Sequence, residues 1–115
     1  MLFHVRGTRV LAQFPRLGAE DFGLTPDGVF TQPSERRRMR EGLTFADGRF
    51  ALGDRLFIAT DALAAWIVAT ARVEGDRLWR TLARLNHPVP FRSLVDDRRR
   101  AGEMTNDDVT LMRVT

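Results

Sequence analysis

Residues 56–66, with the sequence LFIATDALAAW, contain the change from strand to helix on which the fold depends. The apolar run RLFIAT (55–60) includes β-branched and aromatic residues, which favours a buried strand. From Asp61 onwards the apolar residues are spaced three and four apart, which is the period of a helix. The segment therefore predicts a strand–helix junction with a carboxylate at its centre. Either Thr60 or Asp61 can cap the helix, and a carboxylate at this position can also hold a metal ion.

Before this junction the chain carries a hairpin pattern and then a long irregular segment. The apolar runs LFHV (2–5) and RVLAQF (9–14) flank a short turn at Gly7, which is typical of a β-hairpin. Residues 15–34 are rich in proline and glycine and predict a long loop. Long loops in compact domains often carry function.

After the junction the pattern predicts three helices and a final strand. Gly75 ends the first helix, and apolar residues at helical spacing continue into a second. NHPVP (86–90) ends the second helix, the third covers residues 91–100, and DVTLMRV (108–114) predicts a strand. This order predicts an α+β fold with a largely antiparallel sheet and helices packed on one face.

Length and composition favour one globular domain covering residues 1–115. All 18 basic residues are arginine, which explains the high isoelectric point although the net charge is only +3. The two arginine clusters, at 35–41 and 96–100, are flanked by acidic residues, which is typical of a solvated surface. We therefore expect no nucleic-acid partner.

The sequence also bears on where the protein resides. Its longest apolar run, ALAAWIVATA, is too short to span a bilayer, so we expect no membrane partner. The first residues lack the basic region that opens a signal peptide. The chain has no cysteine, which fits a reducing compartment. Together these features predict a cytoplasmic location.

Two acidic positions are candidates for metal binding. Asp61 follows the buried strand, and Asp107 and Asp108 stand at the start of the predicted last strand. If the two strands are neighbours, these carboxylates converge at one end of the sheet, where oxygen ligands would suit Mg²⁺ or Mn²⁺. The alternative is structural: a helix N-cap explains Asp61, and a turn explains Asp107.

Other chemistry-bearing residues form no recognised pattern. His4 lies in a strand and His87 in a loop, and neither has a histidine four residues away as a zinc motif requires. The sequence has no glycine-rich phosphate loop. Trp66 and Trp79 fall on the apolar faces of helices, which predicts that they belong to the core.

These motifs resemble the metal-dependent protein phosphatase family of type 2C. GDRLFIATDALAAW (53–66) resembles the family's strand, Asp-Gly pair and helix, and DDVT (107–110) resembles the Asp-Asn-x-Thr or Asp-Asp-x-Thr pattern that opens a late strand. The opening LFHVRGTRVLAQFP (2–15) looks like the family's mid-domain hairpin. The resemblance implies that Asp61 and Asp107 are metal ligands for Mg²⁺ or Mn²⁺. It also implies a phosphoprotein substrate.

The resemblance covers only the C-terminal half of that family's domain. Ala62 replaces the glycine of the Asp-Gly pair, and the chain has no Gly-His pair, which the family carries in its N-terminal half. The implied fold is half of an α-β-β-α sandwich, in which an apolar sheet face lacks its covering layer. We therefore expect little catalysis by this chain alone, and either self-association or a complementing chain.

A second function is consistent with the same sequence. The chain can be a non-catalytic interaction module that keeps the scaffold without the chemistry. It would then bind a partner through the apolar sheet face or through the loop at 15–34.

Overall fold

A computed structural model describes residues 1–16, 18, 20, 22 and 45–115 of the chain. The strands are β1 (Leu2–Arg6), β2 (Arg9–Phe14), β3 (Asp54–Ala59) and β4 (Leu111–Val114). The helices are α1 (Asp61–Glu74), α2 (Asp76–Arg84) and α3 (Pro88–Arg100). Most of the loop predicted at 15–34 lies outside the described residues.

The four strands form one antiparallel sheet in the order β2-β1-β3-β4. The predicted hairpin is confirmed: β1 and β2 are joined by a tight turn in which Gly7 has a φ of 62°, a conformation that favours glycine. β3 pairs with both β1 and β4, so the two strands that the sequence predicted as possible neighbours are indeed adjacent. The α+β prediction is confirmed.

One face of the sheet packs against the helices because the strands alternate in polarity. Phe3 on β1 and Phe57 on β3 are opposite each other and fully buried. Trp79 of α2 packs against both, with ring centroids 5.5 Å from Phe3 and 5.9 Å from Phe57. The helices contribute further large members of the core, among them Leu63, Trp66, Ile67, Leu78, Leu82 and Val95. Both tryptophans therefore lie in the core, as predicted.

The helix boundaries agree with the sequence except at α3. Gly75 ends α1 with a φ of 49°, and α2 begins at the next residue. α3 begins at Pro88, three residues before the predicted start at residue 91. Proline is well suited to the first turn of a helix because its missing N–H would have no intrahelical partner there. The segment NHPVP therefore both ends α2 and begins α3.

The last strand is shorter than predicted. It begins at Leu111 instead of residue 108, so Asp107 and Asp108 lie in the preceding loop. The partner strand β3 ends at Ala59, opposite Leu111, so the pairing stops there. In the preceding loop, Asp107 Oδ1 accepts a 2.7 Å hydrogen bond from the Asp108 amide.

Helices that cross a bilayer need about 20 mostly apolar residues. None of those formed by residues 61–74, 76–84 and 88–100 is long and apolar enough to cross a bilayer.

Candidate functional site

The end of β3 is tied to the loop before β4 through Thr60. The Thr60 amide donates to the Thr110 carbonyl at 3.2 Å. Its hydroxyl donates to the Asp108 carbonyl at 3.2 Å and accepts from the Thr110 amide at 2.9 Å. These bonds bring the segments that contain the two predicted metal ligands to the same end of the sheet.

Asp61 is the first residue of α1, and its side chain is exposed. Thr60 occupies the N-cap position but makes no side-chain capping bond, because its hydroxyl is engaged with residues 108 and 110. The Asp61 carboxylate instead lies at the positive end of the helix dipole, where a negative charge is favourable. A structural role at the helix start therefore accounts for Asp61 without a metal ion.

Asp107 is also exposed. Besides the bond from its side chain to the Asp108 amide, its carbonyl oxygen accepts a hydrogen bond from Arg99 Nη2. In the part of the chain that the structure describes, no three or more Asp, Glu or His side chains are grouped so that they could hold a metal ion. The assignment of Asp61 and Asp107 to Mg²⁺ or Mn²⁺ stays a prediction.

A different aspartate is buried on the other face of the sheet, which we call the open face. Asp54 begins β3 and is 2% exposed. Its Oδ1 accepts from Arg6 Nε at 2.6 Å. Its Oδ2 accepts from His4 Nε2 at 2.7 Å, from Arg6 Nη2 at 3.1 Å and from the Ala51 amide at 3.0 Å. Both oxygens of the carboxylate therefore accept hydrogen bonds.

These bonds favour the ionised form of Asp54. The hydrogen bond from Arg6 is the largest cause, followed by the bond from the Ala51 amide, and together they hold the pKa of the Asp54 carboxyl far below its ordinary value. The same contact raises the pKa of the Arg6 guanidinium, first through the hydrogen bond and then through the charge of Asp54. Both shifts favour the charged forms of Asp54 and Arg6 in the folded chain.

His4 extends this cluster towards the segment that precedes β3. Because the ionised Asp54 can only accept, His4 Nε2 must carry the proton in their hydrogen bond. The ring of Phe50 stacks on the His4 ring, with centroids 5.9 Å apart and an angle of 22° between the planes. Residues 50–51 are therefore held against the open face by two contacts. The Ala51 amide is hydrogen-bonded to Asp54, and the Phe50 ring stacks on His4.

A groove of about 230 Å³ lies beside this cluster on the open face. Its walls are mainly apolar, and they come from the sheet residues Leu2, Ala12, Phe14 and Leu56 and from Phe50. His4 is the polar group contributed by the sheet, while Asp47 and Arg49 line the groove from the preceding segment.

Further along the open face, apolar side chains reach solvent. Ile58 is 38% exposed, and its neighbour across the strand pair, Met112, is 55% exposed. Val114, which pairs with Leu56, is 42% exposed. Directly opposite residues of an antiparallel pair share one face, so these side chains form a continuous apolar surface.

Sequence reasoning missed the Asp54 cluster. The strand was predicted to begin at Arg55, so Asp54, which follows Leu52 and Gly53, was not recognised as the first residue of β3. A usable signal was present, because His4 and Arg6 are two residues apart and must share one face of their strand. What the sequence did not contain was the register that places Asp54 opposite Arg6.

Comparison of the chain with models of known protein families, with curated proteins and with solved structures gave no match. The resemblance to type 2C phosphatases therefore rests on the sequence motifs alone and stays a prediction.

Proposed function

We propose that this protein is a non-catalytic interaction module that binds an amphipathic helix of a partner protein on its open sheet face. The observation that carries the proposal is the exposed apolar surface formed by Ile58, Met112 and Val114. A sheet normally buries both faces in packed layers or keeps one of them polar. An apolar face in contact with water favours association, because burial of apolar surface is the main driving force of protein binding.

The charges around this face support an acidic partner. Arg6 and Arg9 are opposite each other at the hairpin end of the face, and both are exposed. Arg49 adds a third exposed cation beside the groove, and Asp47 adds an exposed acid. The buried carboxylate of Asp54 balances the charge of Arg6, so Arg9 and Arg49 are the arginines whose charge is available to a partner. We therefore infer that the bound helix carries glutamate or aspartate residues next to its apolar stripe.

Two labelled synthetic peptides test this proposal by fluorescence anisotropy. Both carry the same leucine stripe at helical spacing, one with glutamate and the other with lysine on the flanks. We expect the glutamate peptide to bind at least tenfold more tightly, which corresponds to about 1.4 kcal/mol. Ile58→Glu should weaken that binding about tenfold or more, because it places a charge in the apolar surface facing an acidic ligand.

The matched control is Val73→Glu. Val73 is 87% exposed at the end of α1, away from the open face, so the same chemical change there should leave peptide binding unaltered. Equal affinities of the wild type and Ile58→Glu, or equal affinities for the two peptides, would refute the proposed site.

The metal-dependent phosphatase half is retained as a second proposal, supported by the adjacency of β3 and β4 and by the bonds of Thr60 to residues 108 and 110. In this proposal Asp61 and Asp107 bind Mg²⁺ or Mn²⁺ weakly, with a Kd of about 1 mM. Dephosphorylation of a phosphoprotein would require a complementing N-terminal half. The chain's lack of cysteine supports a cytoplasmic location for either function.

Titration with Mn²⁺, followed by electron paramagnetic resonance, tests the metal proposal. Binding should be lost in Asp61→Asn and in Asp107→Asn but kept in Asp76→Asn, which changes another exposed aspartate at a helix start. If all four proteins, wild type included, give the same titration, the two aspartates do not form a metal site.

A further inference from the structure

The two outer strands of the described sheet differ in how they are protected against further pairing. β2 carries an irregularity in its register opposite His4 and Val5, and Pro15 follows its last residue. Bulges and prolines are devices that prevent an edge strand from pairing with another chain. β4 has a regular register with β3 over its whole length and contains neither device.

The hydrogen bonds on both sides of β3 determine which groups of β4 point outward. The amide and carbonyl of Ala59 both bond to Met1, on the side of β1. The backbone amide of the next residue, Thr60, points to the opposite side, towards β4, where it donates to the Thr110 carbonyl. Because these directions alternate along an antiparallel pair, the amides and carbonyls of Leu111 and Arg113 point away from β3.

We propose that β4 pairs antiparallel with β4 of a second copy of this chain, with Met112 facing Met112 across a two-fold axis. In this register Leu111 of each chain is opposite Arg113 of the other. Their outward amides and carbonyls then form hydrogen-bonded pairs, which exchange both bonds between the two residues. The strand is thus complementary to itself, as a two-fold interface requires.

The neighbouring register, centred on Arg113, is disfavoured by charge. It would place the two Arg113 side chains directly opposite each other, and like charges opposite each other destabilise strand pairing. Arg113 is also held in place within its own chain, by bonds to the Ala83 carbonyl at 2.6 Å and to Asn86 Oδ1 at 2.8 Å. The register centred on Met112 instead places each arginine beside the leucine of the partner.

This pairing joins two open faces into one larger surface, with the two Met112 side chains at its centre and Ile58 on either side. It concerns the edge of the sheet and not its face, so it goes beyond the proposed function. The two can be tested separately.

Cysteine cross-linking tests the register, because the native chain has no cysteine. The two Met112 residues would form a non-hydrogen-bonded pair with Cα atoms about 4.5 Å apart, which is compatible with a disulfide. We expect Met112→Cys to form a disulfide-linked dimer under mild oxidation. Val114→Cys, the matched control on the same strand and face, should remain monomeric on a non-reducing gel.

A mixed experiment identifies the partner of Val114. In the proposed register Val114 is opposite Thr110 of the second chain, so Thr110→Cys and Val114→Cys should cross-link to each other but not to themselves. Equal cross-linking of Met112→Cys and Val114→Cys, or none in any combination, overturns the proposal.

Sedimentation equilibrium provides an independent measurement. Met112→Lys should weaken the wild-type dimer about tenfold or more, because two like charges would meet at the axis. Mixing Met112→Lys with Met112→Glu should restore a heterodimer, a result that a purely structural defect could not produce. A wild-type chain that is monomeric at all concentrations overturns the inference. Ile58→Glu tests peptide binding separately and should leave the dimer intact.

Discussion

Asp54 and Asp61 are only seven residues apart at opposite ends of the same strand, yet their environments differ completely. Asp61 is exposed at the start of a helix, whereas Asp54 is buried and bonded to Arg6, His4 and the Ala51 amide. Asp61 is in the more conspicuous sequence motif, but Asp54 has the more extensive interactions. The difference teaches that the role of a carboxylate depends on which side chains the strand register places around it.

The sharpest test of this comparison is to remove each carboxylate in turn. Asp54→Ala should lower the urea midpoint of unfolding several times more than Asp61→Ala, because it leaves His4, the Arg6 guanidinium and the Ala51 amide without their partner. The fluorescence of Trp66 and Trp79, both buried, can follow the transition. Asp47→Ala is the control, since Asp47 is an exposed aspartate beside the same face. Equal effects at residues 54 and 47 would contradict the importance of the cluster.

The acid stability of the protein should depend on Asp54. Its pKa is lower in the folded chain than the value of about 4 expected in the unfolded chain. This stabilisation is complete at pH values above the unfolded pKa and is lost as the pH falls below it. The free energy of unfolding of the wild type should therefore fall more steeply between about pH 5 and pH 2 than that of Asp54→Asn. If the free energies of unfolding of the two proteins fall in parallel with decreasing pH, the ionised Asp54 does not stabilise the fold.

At the other end of the strand, Thr60 should matter more than Asp61. Thr60→Val removes the hydroxyl that bonds to the Asp108 carbonyl and the Thr110 amide while keeping the shape of the side chain. We expect a loss of about 1 kcal/mol in the free energy of unfolding, the typical contribution of a hydrogen bond. Thr70→Val in the middle of α1 is a suitable control. A loss no greater than in the control would mean that the bridge between the two segments contributes nothing measurable.

The smallest effect is expected for Asp61→Asn. The exchange removes only the favourable interaction between the carboxylate and the dipole of α1. The free energy of unfolding should therefore fall by about 0.5 kcal/mol. High salt should abolish the difference, because the site is exposed. A much larger loss in metal-free buffer would show that Asp61 has contacts beyond the helix dipole.

The fold was largely predictable because it depends on local patterns. The change of period at Asp61, the glycine at residue 75 and the hairpin glycine at residue 7 each mark a boundary that the structure confirms. The predicted starts of α3, at residue 91, and of β4, at residue 108, were wrong. At Pro88 a proline favours the first turn of a helix instead of ending it. The last strand begins only at Leu111 because its partner strand ends at Ala59, opposite that residue.

The candidate sites were less predictable because they depend on contacts between distant residues. The sequence identified Asp61 and Asp107 through motifs, and the structure places their segments at one end of the sheet. It did not identify Asp54, whose partners His4 and Arg6 are about fifty residues away along the chain. Local spacing carries no information about a pairing over that distance.

The sequence by itself determined the α+β class, the hairpin, the order of the elements and the helical stripes that form the core, because each follows from the polarity of residues close together along the chain. Only the tertiary structure decided the strand order and register. Those two choices bury Asp54 between Arg6 and His4, expose Ile58 and Met112 on one face, and leave the amides of Leu111 and Arg113 facing outward. The physical reason is that strand pairing joins residues remote in sequence, and the resulting environment sets both the burial and the charge of each side chain.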